Sequence, residues 1–276
     1  MNIERLAAFS IGDTGGNPAG VVRSVTLPSE GEMQQVAAEV GYSEPVFAAP
    51  TPEGWRVRYF APAREIPFCG HATIALGAAL AMASGDGVFS LELNAGRITV
   101  EGTSRDGVLG AALQSPPTRS QPATAALLER ALAIFGYKAG DLDMRLPPAV
   151  IEAGAAHLLL ALQHRSHLEM MQYDFDEGRA LMLGEGLATV ALVHAEGLHC
   201  FRARHPFAGG GVYEDPATGA GAAALAGYLR DVAWPHHGHI VIQQGVEMGV
   251  PCRLEASFGD SAGSSIRVAG QVRHLE

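Results

Sequence analysis

The alternation of apolar and polar positions divides this chain into many short strands and a few helices. Trp55 to Phe60 alternates as a half-buried strand does, and Val88 to Leu93, Gly96 to Glu101 and Gly107 to Leu113 read as further strands. Leu6 to Ser10 and Ala19 to Val22 flank the turn-rich stretch Gly12 to Pro18, which predicts a hairpin-like start. Met33, Val36, Ala37 and Val40 recur at helical spacing, with Ser29 placed to cap the helix and Gly41 placed to stop it. Tyr42 to Ala48 reads as an extended segment whose single charge is Glu44. Ala61 to Pro67 reads as a loop.

In the second half a helix is predicted from Ala125 to Phe135. Extended segments follow near 150–152 and 157–162, then short helices near 167–171 and 175–183. Strands are predicted at 189–194, 198–204, 240–244, 252–256 and 265–270. Pro116 to Pro122 has the composition of a linker, and the domain boundary is placed there.

Two helices stand apart. Ile74 to Met82 and Ala222 to Leu229 are built almost entirely from small and apolar residues, and a similar phrase precedes each. The first phrase is Pro67-Phe68-Cys69-Gly70-His71-Ala72-Thr73; the second is Glu214-Asp215-Pro216-Ala217-Thr218-Gly219-Ala220-Gly221. Each sets a glycine turn, with ionisable or thiol side chains beside it, at a helix start. Backbone N–H groups there are unpaired and the helix dipole favours negative charge, so each is a ready anion site. Each half thus reads as several strands around one central helix, which suggests an internal duplication with both helix starts facing one carboxylate-bearing ligand.

Composition narrows the class of protein. A chain of 276 residues is long for a single core, and 47% hydrophobic with 17% charged residues describes a globular protein. The net charge of −10 argues against nucleic acid or an anionic membrane surface as the main partner. No apolar run is long enough for a membrane span, and the N-terminus lacks the features of a signal peptide, so a cytoplasmic location is expected. The odd, widely spaced cysteines Cys69, Cys200 and Cys252 do not suggest a disulfide framework. His236-His237-Gly238-His239 lacks carboxylate or thiol partners at zinc spacing and reads as an exposed loop, so no metal is expected. Gly209-Gly210-Gly211 matches no nucleotide fingerprint, so no cofactor is expected.

Taken jointly, Asn17-Pro18-Ala19, Tyr42-Ser43-Glu44-Pro45-Val46-Phe47, Arg58-Tyr59-Phe60-Ala61-Pro62, both helix phrases and Gln244-Gly245-Val246-Glu247-Met248-Gly249 resemble the phenazine-biosynthesis F-like isomerase family. Their order and spacing span nearly the whole chain. The resemblance implies an α+β fold of the diaminopimelate epimerase type. That fold has two similar halves, each a curved, barrel-like mixed or antiparallel sheet around a central helix, with the active site in the cleft between them. Residues 1–115, completed by a C-terminal strand near 265–276, would form the first half, and 123–264 the second. The expected activity is a cofactor-independent isomerisation that moves a proton within a small carboxylate-bearing substrate. A homodimer is also implied.

Carried over residue by residue, the resemblance makes Glu44 the acid/base, with His71 and Asp215 holding polar groups or relaying protons. Glu44 sits among Tyr42, Val46 and Phe47 in sequence, apolar company that suits a carboxyl which takes up and releases protons. By itself it reads more readily as a solvated strand-edge glutamate. Asp215 could instead cap the helix beyond Pro216, and His71 could cap or pack. Asn17, Cys69, Gly70, Gly219 and Ala220 are expected to line the substrate, the glycines letting backbone N–H groups approach it closely.

Cys69 occupies a place that holds a base in two-thiol racemases of this fold. The matching place in the second half is assigned to Asp215, which disfavours that mechanism while leaving a racemase or epimerase with a non-thiol partner as an alternative. Many family members have serine where this chain has Ala220. That departure bears on the substrate and leaves a non-catalytic binding protein as a further alternative.

Overall fold

A computed structural model describes residues 2–41, 44–62, 64–94 and 96–275. The fold is α+β and divides into two compact units, residues 1–114 with 269–276, and residues 115–268.

The first unit opens with β1 (Glu4–Ser10), β2 (Asn17–Arg23), α1 (Glu30–Val40), β3 (Val46–Thr51), β4 (Gly54–Ala61) and the short β5 (Arg64–Ile66). Then come α2 (Gly70–Ser84), β6 (Gly87–Leu93), β7 (Gly96–Arg105) and β8 (Val108–Gln114). Helix α1 starts and stops where its sequence says. Ser29 and Glu32 form a reciprocal capping box, and Gly41 ends the helix at φ 70. The loop expected before the first phrase contains β5, whose backbone pairs Tyr59 with Ile66 while Glu65 takes a two-pronged ion pair from Arg58. Alternation cannot reveal a strand of three residues. The β7–β8 hairpin also runs further than its apolar pattern, because Asp106 and Gly107 both adopt positive φ and close a two-residue turn.

The second unit holds β9 (Arg119–Pro122), α3 (Ala125–Phe135), β10 (Ala149–Glu152), β11 (Ala156–Ala161), α4 (Arg165–Glu169), α5 (Phe175–Glu185), β12 (Thr189–Ala195) and β13 (Cys200–Pro206). It continues through β14 (Glu214–Asp215), α6 (Gly219–Asp231), β15 (His239–Gln244) and β16 (Cys252–Ser257). The proline-rich stretch read as a linker is therefore partly a strand. β9 pairs with β10, and the Arg119–Glu152 ion pair ties the two together. Its prolines sit outside the strand or at its last position, where a missing N–H does least harm.

The final strand, β17 (Arg267–His274), returns to β1 and also pairs with β8. It closes the first unit into an eight-stranded ring, β1-β2-β3-β4-β6-β7-β8-β17. Both units then repeat one pattern. β1–β2 is antiparallel, β2–β3 parallel, β3–β4 antiparallel and β4–β6 parallel. In the second unit β10–β11, β11–β12, β12–β13 and β13–β15 follow the same alternation. α2 and α6 occupy the same place in the two orders, directly after the short strands β5 and β14.

The small residues of α2 and α6 follow from that place. Both helices are buried along most of their length, as an enclosed helix must be when strands surround it. The backbone of β7 comes so close to α2 that a Cβ on Gly102 would stand 2.1 Å from the Gly77 carbonyl oxygen. In α6, a Cβ on Gly221 would stand 2.4 Å from the His205 ring.

Candidate active site

The N-terminus of α2 gathers three chemically active side chains from two separate stretches of chain. Cys69 is the N-cap residue of α2, His71 lies in its first turn, and Glu44 comes from the segment just ahead of β3. The Cys69 thiol is 3.7 Å from Glu44 Oε2 and 3.2 Å from His71 Nδ1. His71 Nε2 is 3.6 Å from the same Glu44 oxygen. Cys69 and His71 are buried, and the Glu44 side chain retains 16% of its exposure. A carboxyl, a thiol and an imidazole therefore meet around one point, with the carboxyl nearest to solvent. Glu44 precedes β3 instead of lying on a strand edge. Of its expected apolar company, Val46 and Phe47 are buried, while Tyr42 lies outside the described residues.

Two residues beyond the quoted candidates hold this group in place. Thr73 donates its hydroxyl to the Cys69 carbonyl at 2.7 Å, and its oxygen lies 2.7 Å from the Tyr59 hydroxyl. Burial pushes the Tyr59 hydroxyl above its ordinary range, against the opposing pull of the Thr73 hydrogen bond. It stays protonated and pins the first turn of α2 to β4. Both residues fall inside the sequence phrases. Their pairing could not be read there, because it depends on the fold bringing Tyr59 of β4 to the first turn of α2.

The Cys69 side chain makes no capping bond to the helix backbone. A Cβ built on Gly70 would meet the Phe68 ring at 3.9 Å, an ordinary van der Waals contact. Asn17 begins β2, buried, with its backbone opposite Ala8.

The start of α6 is built from different chemistry. Asp215 lies on β14 and its carboxylate accepts the Thr218 hydroxyl at 2.7 Å. The Gln244 side chain donates to the Asp215 carbonyl at 2.7 Å and accepts the Thr218 N–H at 3.1 Å. The helix N-cap is Thr218, which makes no side-chain cap bond. Two expectations change accordingly. Asp215 does not cap α6, and the residue in the position of Cys69 is Thr218, three residues further on. Pro216 explains the misplacement, since it suggests a helix beginning one residue later and the α6 backbone becomes helical only at Gly219. The conclusion that no second thiol stands there is unchanged. Gly219 and Ala220 form the first turn of α6, and Ala220 presents a methyl group where a serine would present a hydroxyl.

Beside Asp215, Glu214 forms a two-pronged ion pair with Arg204, at 3.0 and 2.6 Å, with both side chains buried. Arg204 also donates to the carbonyls of Leu168 and Glu169, each at 3.2 Å. Under α6, His157 Nδ1 and His205 Nδ1 both meet the Thr189 hydroxyl, at 2.7 and 2.9 Å. Burial pushes His157 down to about 4, and burial first, then the neighbouring His157, holds His205 well below the ordinary histidine range. Both imidazoles are neutral supports.

The histidine loop is mostly taken up by its own fold. His236 accepts the Gly238 N–H at 2.8 Å, and His239 begins β15. Among the described residues, Glu44, Cys69 and His71 are the one set of three potential metal donors lying within 4.8 Å of one another. No helix among the described residues is long and apolar enough to cross a membrane.

Known proteins share this architecture and sequence. A family model described as phenazine biosynthesis-like protein matches residues 6–274. A trans-2,3-dihydro-3-hydroxyanthranilate isomerase of Pseudomonas aeruginosa is 32% identical over 271 residues, 95% of this chain and 93% of the relative. An uncharacterized isomerase of Deinococcus radiodurans is 32% identical over 260 residues, 91% of this chain and 84% of the relative. Among solved structures, a protein described as a predicted epimerase from Pseudomonas aeruginosa superposes with a TM-score of 0.85 at 26% identity, covering 99% of this chain and 96% of that one.

Proposed function

The chain belongs to the phenazine biosynthesis-like family and is an isomerase; from that premise we propose that it moves a proton within a small carboxylate-bearing substrate, with Glu44 as the acid/base and no cofactor. The observation that carries this reading is the meeting of Glu44, Cys69 and His71 at the start of α2.

The proposed chemistry follows from what each group can do. The Glu44 carboxylate takes a proton from one substrate carbon and returns it at another. The electron pair left behind spreads into the substrate's conjugated carboxylate, whose oxygens accept hydrogen bonds from the backbone N–H groups at the helix start. His71, 3.6 Å from the Glu44 carboxyl, orients it and holds a polar group of the substrate. Cys69 and Asn17 line the substrate. On this reading Asp215, Gly219 and Ala220 serve the same substrate from the start of α6, with Thr218 and Gln244 fixing the Asp215 loop. With a methyl at Ala220 there is one hydroxyl fewer to bind substrate, so the identity of the substrate is left for the panel below to decide. A homodimer acting in the cytoplasm completes the proposal, and light scattering reads its mass.

The experiment is a substrate panel in deuterated water. It begins with trans-2,3-dihydro-3-hydroxyanthranilate, for which the Pseudomonas relative is named, and extends to other cyclic and amino-acid carboxylates. The parent protein is expected to isomerise one member and place solvent deuterium on carbon. A Glu44→Gln protein with unchanged melting temperature is expected to lose both reactions. If it isomerises as fast as the parent, the assignment of Glu44 is wrong. Binding without exchange throughout the panel would favour a non-catalytic protein.

One observation favours a second reading, an epimerase with Cys69 as the base. His71 Nδ1, 3.2 Å from the thiol, is placed to take its proton and leave a reactive thiolate.

A further inference from the structure

We propose that Glu44, Cys69 and His71 form a binding site for a thiophilic divalent cation, with Zn²⁺ the best fit, and that the bound cation switches off proton transfer by holding the Glu44 carboxylate. The second half of this proposal rests on Glu44 being the acid/base; the first half does not.

The geometry is the main argument. A tetrahedral zinc bound by one sulfur, one imidazole nitrogen and one carboxylate oxygen needs donor–donor separations of roughly 3.4 to 3.6 Å, from its ordinary bond lengths. Here the thiol and Glu44 Oε2 are 3.7 Å apart, His71 Nε2 and Glu44 Oε2 are 3.6 Å apart, and the thiol and His71 Nε2 are 3.9 Å apart. Each edge is within a few tenths of an ångström of one triangular face of the tetrahedron. The thiol lies nearer Nδ1, at 3.2 Å, than Nε2, so the His71 ring must rotate to aim a nitrogen lone pair at the point shared with Cys69 and Glu44.

Chemistry selects the cation. A thiolate, an imidazole and a carboxylate together suit a borderline-soft ion, whereas Mg²⁺ and Ca²⁺ prefer sites made wholly of oxygen. Binding replaces the thiol proton: the S–H bond breaks, the sulfur–metal bond forms, and the proton leaves to solvent, so affinity rises with pH. A thiolate and a carboxylate balance the two positive charges of the ion, and His71 binds neutral. The three protein donors leave the fourth position to water or substrate, the pattern of an open site. Two of the donors lie within three residues on α2, and the third enters from 25 positions away in sequence.

The test titrates the full, reduced chain with Co²⁺ as a spectroscopic stand-in for Zn²⁺. One equivalent is expected to give thiolate-to-cobalt charge-transfer absorption with the visible bands of a tetrahedral ion. Zn²⁺ should displace it and Mg²⁺ should not. Cys69→Ser should abolish the charge-transfer band. Glu44→Gln should keep the band while weakening the affinity by about 100-fold or more, since loss of a direct ligand exceeds the 10- to 100-fold effect of outer-shell changes. Cys200→Ser, Cys252→Ser and His237→Ala should change nothing. No charge-transfer band in the parent, or a band that survives Cys69→Ser, overturns the site. If Zn²⁺ binds stoichiometrically and proton exchange continues at the parent rate, the inhibition is refuted while the metal site stands; the acid/base role of Glu44 is judged separately, by the metal-free Glu44→Gln protein.

Discussion

The starts of α2 and α6 occupy equivalent places in a duplicated fold and have been equipped differently. The α2 start concentrates groups that exchange protons, Glu44, Cys69 and His71, within hydrogen-bonding or ion-pairing reach of one another. The α6 start has a threonine in the place of the cysteine and an alanine in the place of the histidine. It spends its hydrogen bonds on holding a loop rigid, through Asp215, Thr218 and Gln244. Beside it lies the Arg204–Glu214 pair, and under α6 a neutral imidazole–hydroxyl–imidazole bridge. The duplication supplied two helix N-termini able to bind anions. The lesson of the difference is that equivalent helix starts carry different chemistry: a carboxyl, a thiol and an imidazole meet at one, and a hydrogen-bonded Asp215–Thr218–Gln244 loop stands at the other.

That contrast should appear first in kinetics. Glu44→Gln is expected to lower kcat by about 10²- to 10⁴-fold, the usual contribution of a general acid/base, with KM nearly unchanged. Thr218→Val is expected to act mainly on KM, because it frees Asp215 without touching the proton-transfer group. Equal losses of kcat in both variants would erase the distinction between the two ends.

The next effect is on stability. Arg204→Met leaves Glu214 buried without its partner and should cost about 3 to 5 kcal/mol in urea unfolding. Replacing both residues with apolar ones should restore much of that stability. An unchanged midpoint in the single variant would mean that the α6 start is not braced as described.

A comparable change is expected on acidification. His157 titrates near 4 in the folded chain, below its unfolded value of about 6.5. The unfolded chain therefore binds the extra proton first. The stability held by neutral His157 is complete above about pH 6.5 and is lost as the pH falls toward 4, by about 3 kcal/mol. Unfolding curves across that range should show the loss, and His157→Gln should lessen it, the share of the buried His205 remaining. The smallest effect is reserved for a place far from either chemistry. Ser29→Ala removes the α1 cap, should cost about 1 kcal/mol, and should leave kcat and KM unchanged.

Much of the fold was legible because its signals are local. The caps of α1 and the span of α3, from Ala125 to Phe135, were written in neighbouring residues. What escaped depends on distant partners. β9 forms inside a proline-rich stretch because β10 offers it a partner, and β5 forms because β4 does. The candidate site divides in the same way. The phrases around Cys69 and Asp215 marked both helix starts, and the family resemblance singled out Glu44. That the Glu44 carboxyl shares one point with the thiol and imidazole could not be read, since the chain must fold back over 25 positions to bring it there. The bridge of His157, Thr189 and His205 was hidden for the same reason, its members lying on β11, β12 and β13.

The most direct test of the central claim compares Glu44→Gln with Cys69→Ser in deuterated water, using whichever substrate the parent protein turns over. With both variants folded as the parent, the account predicts that deuterium incorporation at carbon disappears in Glu44→Gln and persists in Cys69→Ser. Incorporation that persists in Glu44→Gln and disappears in Cys69→Ser would contradict it and make the thiol the base.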